Sequence, residues 1–257
     1  MGDIIDGFIF YNELDLLEIR LYELEPVVDK FVLVEGTHTH QGSEKPLYFD
    51  EHKSWFQRYN IEHIVVPTLH PKKPTAQQVW ENESFQRNQI ALGMTDFPDD
   101  VGMVSDVDEI PSRGLIASLN RIKLPIKVRQ RMSYYFMNMV SPTMVWHGTT
   151  IASSPEVKRV TPQGLRNCLF SPDMPSTPGG WHFSYLGTPE FIADKLKNFT
   201  HSEYNKPEYT DPAKIKQLIG EGKDILGRGY TFEKIGMNEN FPRLVQEQPE
   251  RFEKYFA

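Results

Sequence analysis

The chain has a single cysteine, Cys168, in 257 residues, which excludes an internal disulfide and a cysteine cage for a metal. It has no apolar run approaching the ~18–20 residues that a membrane-spanning helix needs. Positive charge is not in excess either: 28 basic side chains against 35 acidic ones leave a formal net charge of −7. That balance argues against nucleic acid or an anionic membrane as partner, since clustered Lys and Arg supply most of that affinity. The opening residues, MGDIIDGFIFYNELD, carry acids where a secretion signal carries bases. Together these absences describe a cytoplasmic protein with no transmembrane segment. What is present, 39% hydrophobic and 25% charged residues, is ordinary for a globular domain able to bury a real core.

The first third alternates short apolar runs with helical periodicity. Ile4 to Tyr11 (IIDGFIFY) predicts a strand, and Asn12 is placed to cap a helix beginning at Glu13. In that helix Leu14, Leu17, Leu21 and Leu24 recur at three- and four-residue steps, one buried stripe. Val27 to Glu35 is apolar on both faces, as in a parallel strand covered on both sides, and Ile61 to Val66 repeats the pattern. Ala76 to Met94 predicts a helix with Val79, Trp80, Ile90 and Ala91 on one side, and Val101 to Val104 a short strand. This succession belongs to an open, mostly parallel sheet. Later, Lys127 to Val140 and Val145 to Val160 are β-rich, as in mixed sheet, and Leu169 to Gly180 reads as a Pro/Gly/Ser-rich loop. Pro189, Pro212 and Pro242 sit at or near helix starts. No repeat or linker divides the chain, so one domain is expected.

The stretch Asp96 to Glu109, DFPDDVGMVSDVDE, has six acids and no base. Asp106 and Asp108 point to one side of an extended segment, at a strand end, where open α/β sheets place ligands. Two carboxylates ~4 Å apart repel by about 4 kcal/mol at an effective dielectric of ~20. No base lies within four residues of either to relieve this, so a hard divalent cation, Mn²⁺ or Mg²⁺, fits the pair. Solvated surface is the alternative, because Asp-x-Asp arises by chance on the order of once in a chain with 14 aspartates. His182, behind Gly179-Gly180-Trp181, is a packed core histidine, a third metal ligand or a donor to phosphate. Lys195 neutralises a phosphate or belongs to a solvated helix end. The sequons at Asn82 and Asn198 count as coincidental without a secretion signal, and His38 and His40 read as loop surface.

The nine residues Ser105-Asp106-Val107-Asp108-Glu109-Ile110-Pro111-Ser112-Arg113 resemble glycosyltransferase family 17. Asn12 to Arg20, Val28 to Glu35, Gly42 to Leu47, Gly180 to His182 and Thr188 to Glu190 also fit, so the likeness covers nearly the whole chain. It implies a GT-A-like fold: a Rossmann-type α/β domain of the nucleotide-diphospho-sugar transferases, with a mostly parallel central sheet and a mixed C-terminal half. Residues 1–109 would form the nucleotide-sugar-binding half and residues 110–257 the acceptor-binding half. The implied reaction moves a sugar, N-acetylglucosamine first, from a UDP-sugar to a glycan, polysaccharide or glycolipid hydroxyl, with inversion to a β linkage.

By the same resemblance Asp106 and Asp108 hold the divalent cation and the diphosphate, with His182 approaching from the C-terminal half. Tyr11, Asn12 and Glu35 would lie near uracil and ribose, with Arg87 a partner for the nucleotide. A general base must take the acceptor's proton. Glu203 and Glu109 are the candidates and Asp173 a third, while Trp181 and Tyr135 are candidates to stack on sugar rings. The acidic position that follows Asp-Glu-Ile-Pro in the family is Gly114 here, which weighs against a bisecting-type glycoprotein acceptor. Two other readings stay open. A haloacid-dehalogenase-like phosphohydrolase also uses Asp-x-Asp and Mg²⁺, but places the pair after its first strand. A non-catalytic nucleotide-sugar- or carbohydrate-binding module would bind without turnover.

Overall fold

Ile4–Phe10 forms strand β1, the strand about which the first half of the sheet is organised. The structure is a computed structural model describing residues 2–168, 174–198, 204–237 and 240–257. After β1 come helix α1 (Leu14–Leu24), β2 (Lys30–Gly36), α2 (Tyr48–His52), β3 (Ile61–Val66), α3 (Ala76–Asn88) and β4 (Val101–Asp106). The second half runs β5 (Glu109–Pro111), α4 (Arg113–Ile116), β6 (Ile126–Tyr134), β7 (Met139–Ser153), α5 (Ser154–Val160), α6 (Pro162–Cys168) and β8 (Ser176–Ser184). It closes with α7 (Pro189–Asn198), α8 (Pro207–Thr210), α9 (Pro212–Gly220), β9 (Glu233–Lys234) and α10 (Arg243–Glu247).

All nine described strands belong to one sheet, ordered β3-β2-β1-β4-β7-β6-β8-β5, with β9 paired to β7. The first four are parallel; β4–β7, β7–β6 and β8–β5 are antiparallel, and β6–β8 is parallel. This is the α/β architecture expected, parallel first and mixed afterwards. The apolar runs follow from burial on both faces. Phe8, Leu33 and Met103 pack with Leu17, Leu21 and Leu24 of α1, while Ile5, Val32, Val34 and Val104 pack with Ile90 and Met94 on the other side.

Several boundaries differ from expectation for local reasons. α1 begins at Leu14, and Asn12 does not cap it; the cap position is Glu13, whose Oε2 accepts from the Asn12 amide at 3.1 Å. α3 ends at Asn88 and tightens into a 3₁₀ turn over Gln89–Gly93, and Trp80 is largely exposed. β7 stops at Ser153, because Pro155 starts the short helix α5 inside the segment expected as β-rich. Ser176–Gly180, expected as loop, is the first part of β8. Gly180 explains its own presence: at φ +121° a Cβ would lie 2.2 Å from the Ile110 carbonyl oxygen, so only glycine lets β8 approach β5.

Candidate active site

The carboxyl ends of β1, β2 and β4 meet at one edge of the sheet, with Phe10 opposite Glu35 and Ile9 opposite Asp106. From β1 the chain passes to β2 and β3 on one side and returns to β4 on the other, so a crevice opens between β1 and β4. A cavity of ≈ 130 Å³ occupies it, lined by Tyr11, Glu13, His40, Lys45, Gln86 and Asp108 among others. Tyr11 and Tyr48 meet edge to face at 5.8 Å, with the Lys45 ammonium 5.5 and 5.2 Å from the two rings. Burial, with the neighbouring Tyr48 hydroxyl, pushes the Tyr11 phenol up to about 12, so it stays a neutral donor. Glu35 does not line the cavity. It is fully buried and accepts from Lys45 at 3.3 Å, His63 at 3.1 Å and the Phe49 amide at 3.3 Å, holding Lys45 in place. The Asn12 Oδ1 is buried with no donor among the described residues.

Bases absent from the local sequence arrive from distant elements. Asp106 receives Arg87 of α3 on Oδ1 at 3.0 Å and Arg166 of α6 on Oδ2 at 3.0 Å. Burial would raise its carboxyl, but the two guanidinium groups hold it far below the usual range. Asp108 is different: His182 Nε2 stands 3.6 Å from Oδ1 and Lys195 Nζ 3.7 Å from Oδ2, both longer than hydrogen bonds. These two groups lower its carboxyl against the opposing effect of burial. Lys195, also 3.2 Å from Glu13, remains an ammonium; its burial is outweighed by the two carboxylates, which raise it.

Glu109, expected as a candidate base, is fully buried and saturated. Its oxygens accept from Arg166 at 2.5 and 2.6 Å, Trp146 Nε1 at 2.7 Å and the Asp106 amide at 2.9 Å. No lone pair faces the cleft. Glu203 and Asp173 lie outside the described residues. Nothing in the sequence points to Arg166 and Trp146, because no spacing relates them to Asp106 and only the β6–β7 hairpin and α6 bring them there.

A second cavity of ≈ 460 Å³ opens on the other side of the aspartates, sharing Glu83, Asp106, Asp108 and Lys195 with the first. Its walls include Trp80, Trp146, His147, Tyr134, Tyr204 and Arg228. His182 stacks on Trp146 at 4.5 Å, and its Nδ1 is buried with no partner among the described residues, while Nε2 is the nitrogen presented to Asp108. Trp181 and Tyr135 serve the core instead of a sugar: Trp181 Nε1 donates to the Asn240 carbonyl, and the Tyr135 hydroxyl donates to the Lys223 carbonyl. Among the described residues no three His, Cys, Asp or Glu side chains converge as a ready-made metal cage, and no helix is long and apolar enough to cross a membrane.

Residues 2–244 match the family model described as glycosyltransferase family 17. Over 272 aligned residues the chain is 26% identical to human β-1,4-mannosyl-glycoprotein 4-β-N-acetylglucosaminyltransferase, covering 93% of this chain and 50% of that protein. The rat protein of the same name is 25% identical, with 93% and 49% covered. The chain thus spans about half the length of the curated relatives it matches. Among solved structures, S. aureus TarS 1-349 overlaps 85% of this chain and 72% of its own, at 9% identity and a TM-score of 0.40.

Proposed function

The chain belongs to glycosyltransferase family 17, and from that premise we propose that it transfers N-acetylglucosamine from UDP-N-acetylglucosamine to a glycan hydroxyl, inverting the anomeric carbon to a β linkage. The observation that carries this reading is the pair of cavities meeting at Asp108. The smaller, aromatic one suits a nucleoside held by Tyr11 and Lys45. The larger has room for the donor sugar and an acceptor ring, with Trp146 and Tyr204 as apolar walls.

Charge supports a divalent cation between them. Among the described residues five cations face the cleft, Lys45, Arg87, Arg166, Lys195 and Arg228, and each is already paired with a carboxylate. The carboxylates so engaged number seven (Glu13, Glu35, Glu83, Asp106, Asp108, Glu109 and Asp224), an excess of two negative charges. A diphosphate entering this cleft would be repelled unless positive charge accompanied it. Asp108 and His182 fit as the protein's ligands for Mn²⁺ or Mg²⁺, since the Asp108 carboxylate makes no short hydrogen bond among the described residues and such ions take few protein ligands besides substrate phosphates. When bound, the cation would supply Lewis-acid stabilisation of the departing diphosphate. Asp106, expected as a second ligand, gives one oxygen to each of two arginines and so organises them.

The chain's own groups then divide the work. Lys195 stays charged beside Asp108 and offers an ammonium to the phosphate oxygens; Arg87 and Arg166 fix the Asp106 carboxylate. With Glu109 saturated, the acceptor's proton goes in this reading to Glu203, eight residues beyond Lys195 in the sequence. The test is a thermal-shift panel of UDP-, GDP- and CMP-sugars with and without Mn²⁺, followed by UDP release on candidate acceptors, each repeated with Asp108→Ala. UDP-N-acetylglucosamine with Mn²⁺ should stabilise most, and Asp108→Ala should abolish the Mn²⁺-dependent part. Equal stabilisation by GDP- or CMP-sugars overturns the donor assignment. Tight binding of the donor without UDP release in the presence of any acceptor favours a binding module.

A further inference from the structure

Arg20 lies on α1 among leucines, makes no contact with either cavity and is fully buried. A lone arginine in an apolar helix stripe carries a heavy desolvation cost unless every donor is met. Here they are met in an unusual way. Nε and Nη2 grip Asp6 of β1 at 2.7 and 2.6 Å, and Nη2 also donates to the Ser105 hydroxyl at 2.6 Å. The remaining nitrogen, Nη1, donates to three backbone carbonyls of one loop: Asp106 at 3.1 Å, Val107 at 3.4 Å and Glu109 at 2.9 Å. The carbonyl these contacts skip, Asp108, accepts from the Phe183 amide at 3.0 Å, and Thr149 adds a second donor to that of Glu109 at 3.1 Å.

We infer that Arg20 is the positioning residue for the Asp106–Glu109 loop: by drawing its carbonyls inward it turns the Asp106 and Asp108 carboxylates out to the cleft. The consequence for donor binding rests on the function proposed above; the fixing of the loop does not. Charge alone is not sufficient for this task. Lysine could still pair with Asp6, but its three donors on one atom cannot span a carboxylate, a hydroxyl and a row of carbonyls, which the planar five-donor fork does. A displacement of about 1 Å in a reacting group is enough to cost about 100-fold in rate, so a loosened loop registers in function before it registers in global stability.

The experiment compares wild type with Arg20→Lys by hydrogen exchange, resolved by peptide, alongside Mn²⁺ affinity in the presence of UDP. Exchange in peptides spanning 105–111 should rise about tenfold while those of β1 and β2 change by less than about twofold. The Mn²⁺ half-saturation concentration should rise about tenfold in parallel. Unchanged exchange at 105–111, or an equal rise across β1, β2 and the loop, overturns the inference. Should Arg20→Lys fail to fold, Ser105→Ala, which keeps both charges, should still raise loop exchange about threefold; no rise there overturns it equally. If wild type binds neither Mn²⁺ nor UDP, the donor reading falls, and the exchange result still decides the role of Arg20.

Discussion

Replacing Glu109 by glutamine separates a structural carboxylate from a catalytic one. In the folded protein its two oxygens take four hydrogen bonds, two from Arg166, one from Trp146 and one from the Asp106 amide. Glutamine keeps one acceptor oxygen and turns an amide N–H₂ toward donors, so at least one of them is orphaned at about 1–3 kcal/mol. It also leaves Arg166 with Asp106 as its one remaining ion-pair partner among the described residues, and breaking a buried ion pair from one side costs about 3–5 kcal/mol. These penalties overlap, so a total near the latter range is expected. For a chain of this size about 2–4 °C of melting temperature goes with each kcal/mol, so Glu109→Gln should melt roughly 6–20 °C below wild type by circular dichroism or calorimetry. A proton-accepting role predicts otherwise: a loss of about 10²- to 10⁴-fold in kcat with an unshifted melting temperature. Unaltered melting would refute the assignment of Glu109 to the scaffold.

Other outcomes follow from the same geometry. Asp106 titrates below an unfolded aspartate because Arg166 and Arg87 outweigh its burial, so its stabilisation is complete above the unfolded value and is lost as pH falls toward the folded one; wild type should lose stability between about pH 5 and pH 2. Asp106→Asn should show a flatter melting-temperature profile over that window, and an identical acid slope would contradict the pairing. Gly148→Ala should destabilise the hairpin and weaken donor binding together, since its Cβ would lie 2.2 Å from Gln130 Oε1 and 2.6 Å from Glu109 Cδ; wild-type melting would show that the neighbours yield. Glu203→Gln should lower kcat by about 10²-fold or more while UDP affinity stays within about threefold, and retained turnover would move the base elsewhere. Chelation of divalent cations should abolish UDP release, restored by Mn²⁺ in wild type but not in Asp108→Ala.

Much of the scaffold was legible because its signals are local. The apolar runs of β1, β2 and β3, the leucine stripe of α1 and the strand leading into Asp106 follow from periodicity, which burial on one or both faces imposes residue by residue. Where structure and local pattern differ, the deciding contact lies far along the chain. Asn12 has the right chemistry for a cap, yet the helix begins one residue later than foreseen and Glu13 takes the cap position, with its carboxylate shared between the Asn12 amide and Lys195. Glu35 stands near the end of β2 as expected and Glu109 opens β5, but burial turned both into anchors, one for Lys45 and one for Arg166.

By itself the sequence determined the family, the parallel-then-mixed sheet and the position of an acidic pair at the end of a strand, since each is written in neighbouring residues. Only the tertiary structure decided that the two aspartates are unlike. Arg87 and Arg166 come from helices 19 and 60 residues away to occupy Asp106, while His182 and Lys195 stand back from Asp108. A carboxylate's role depends on which charges share its few ångströms of space, and that company is assembled by packing of distant segments.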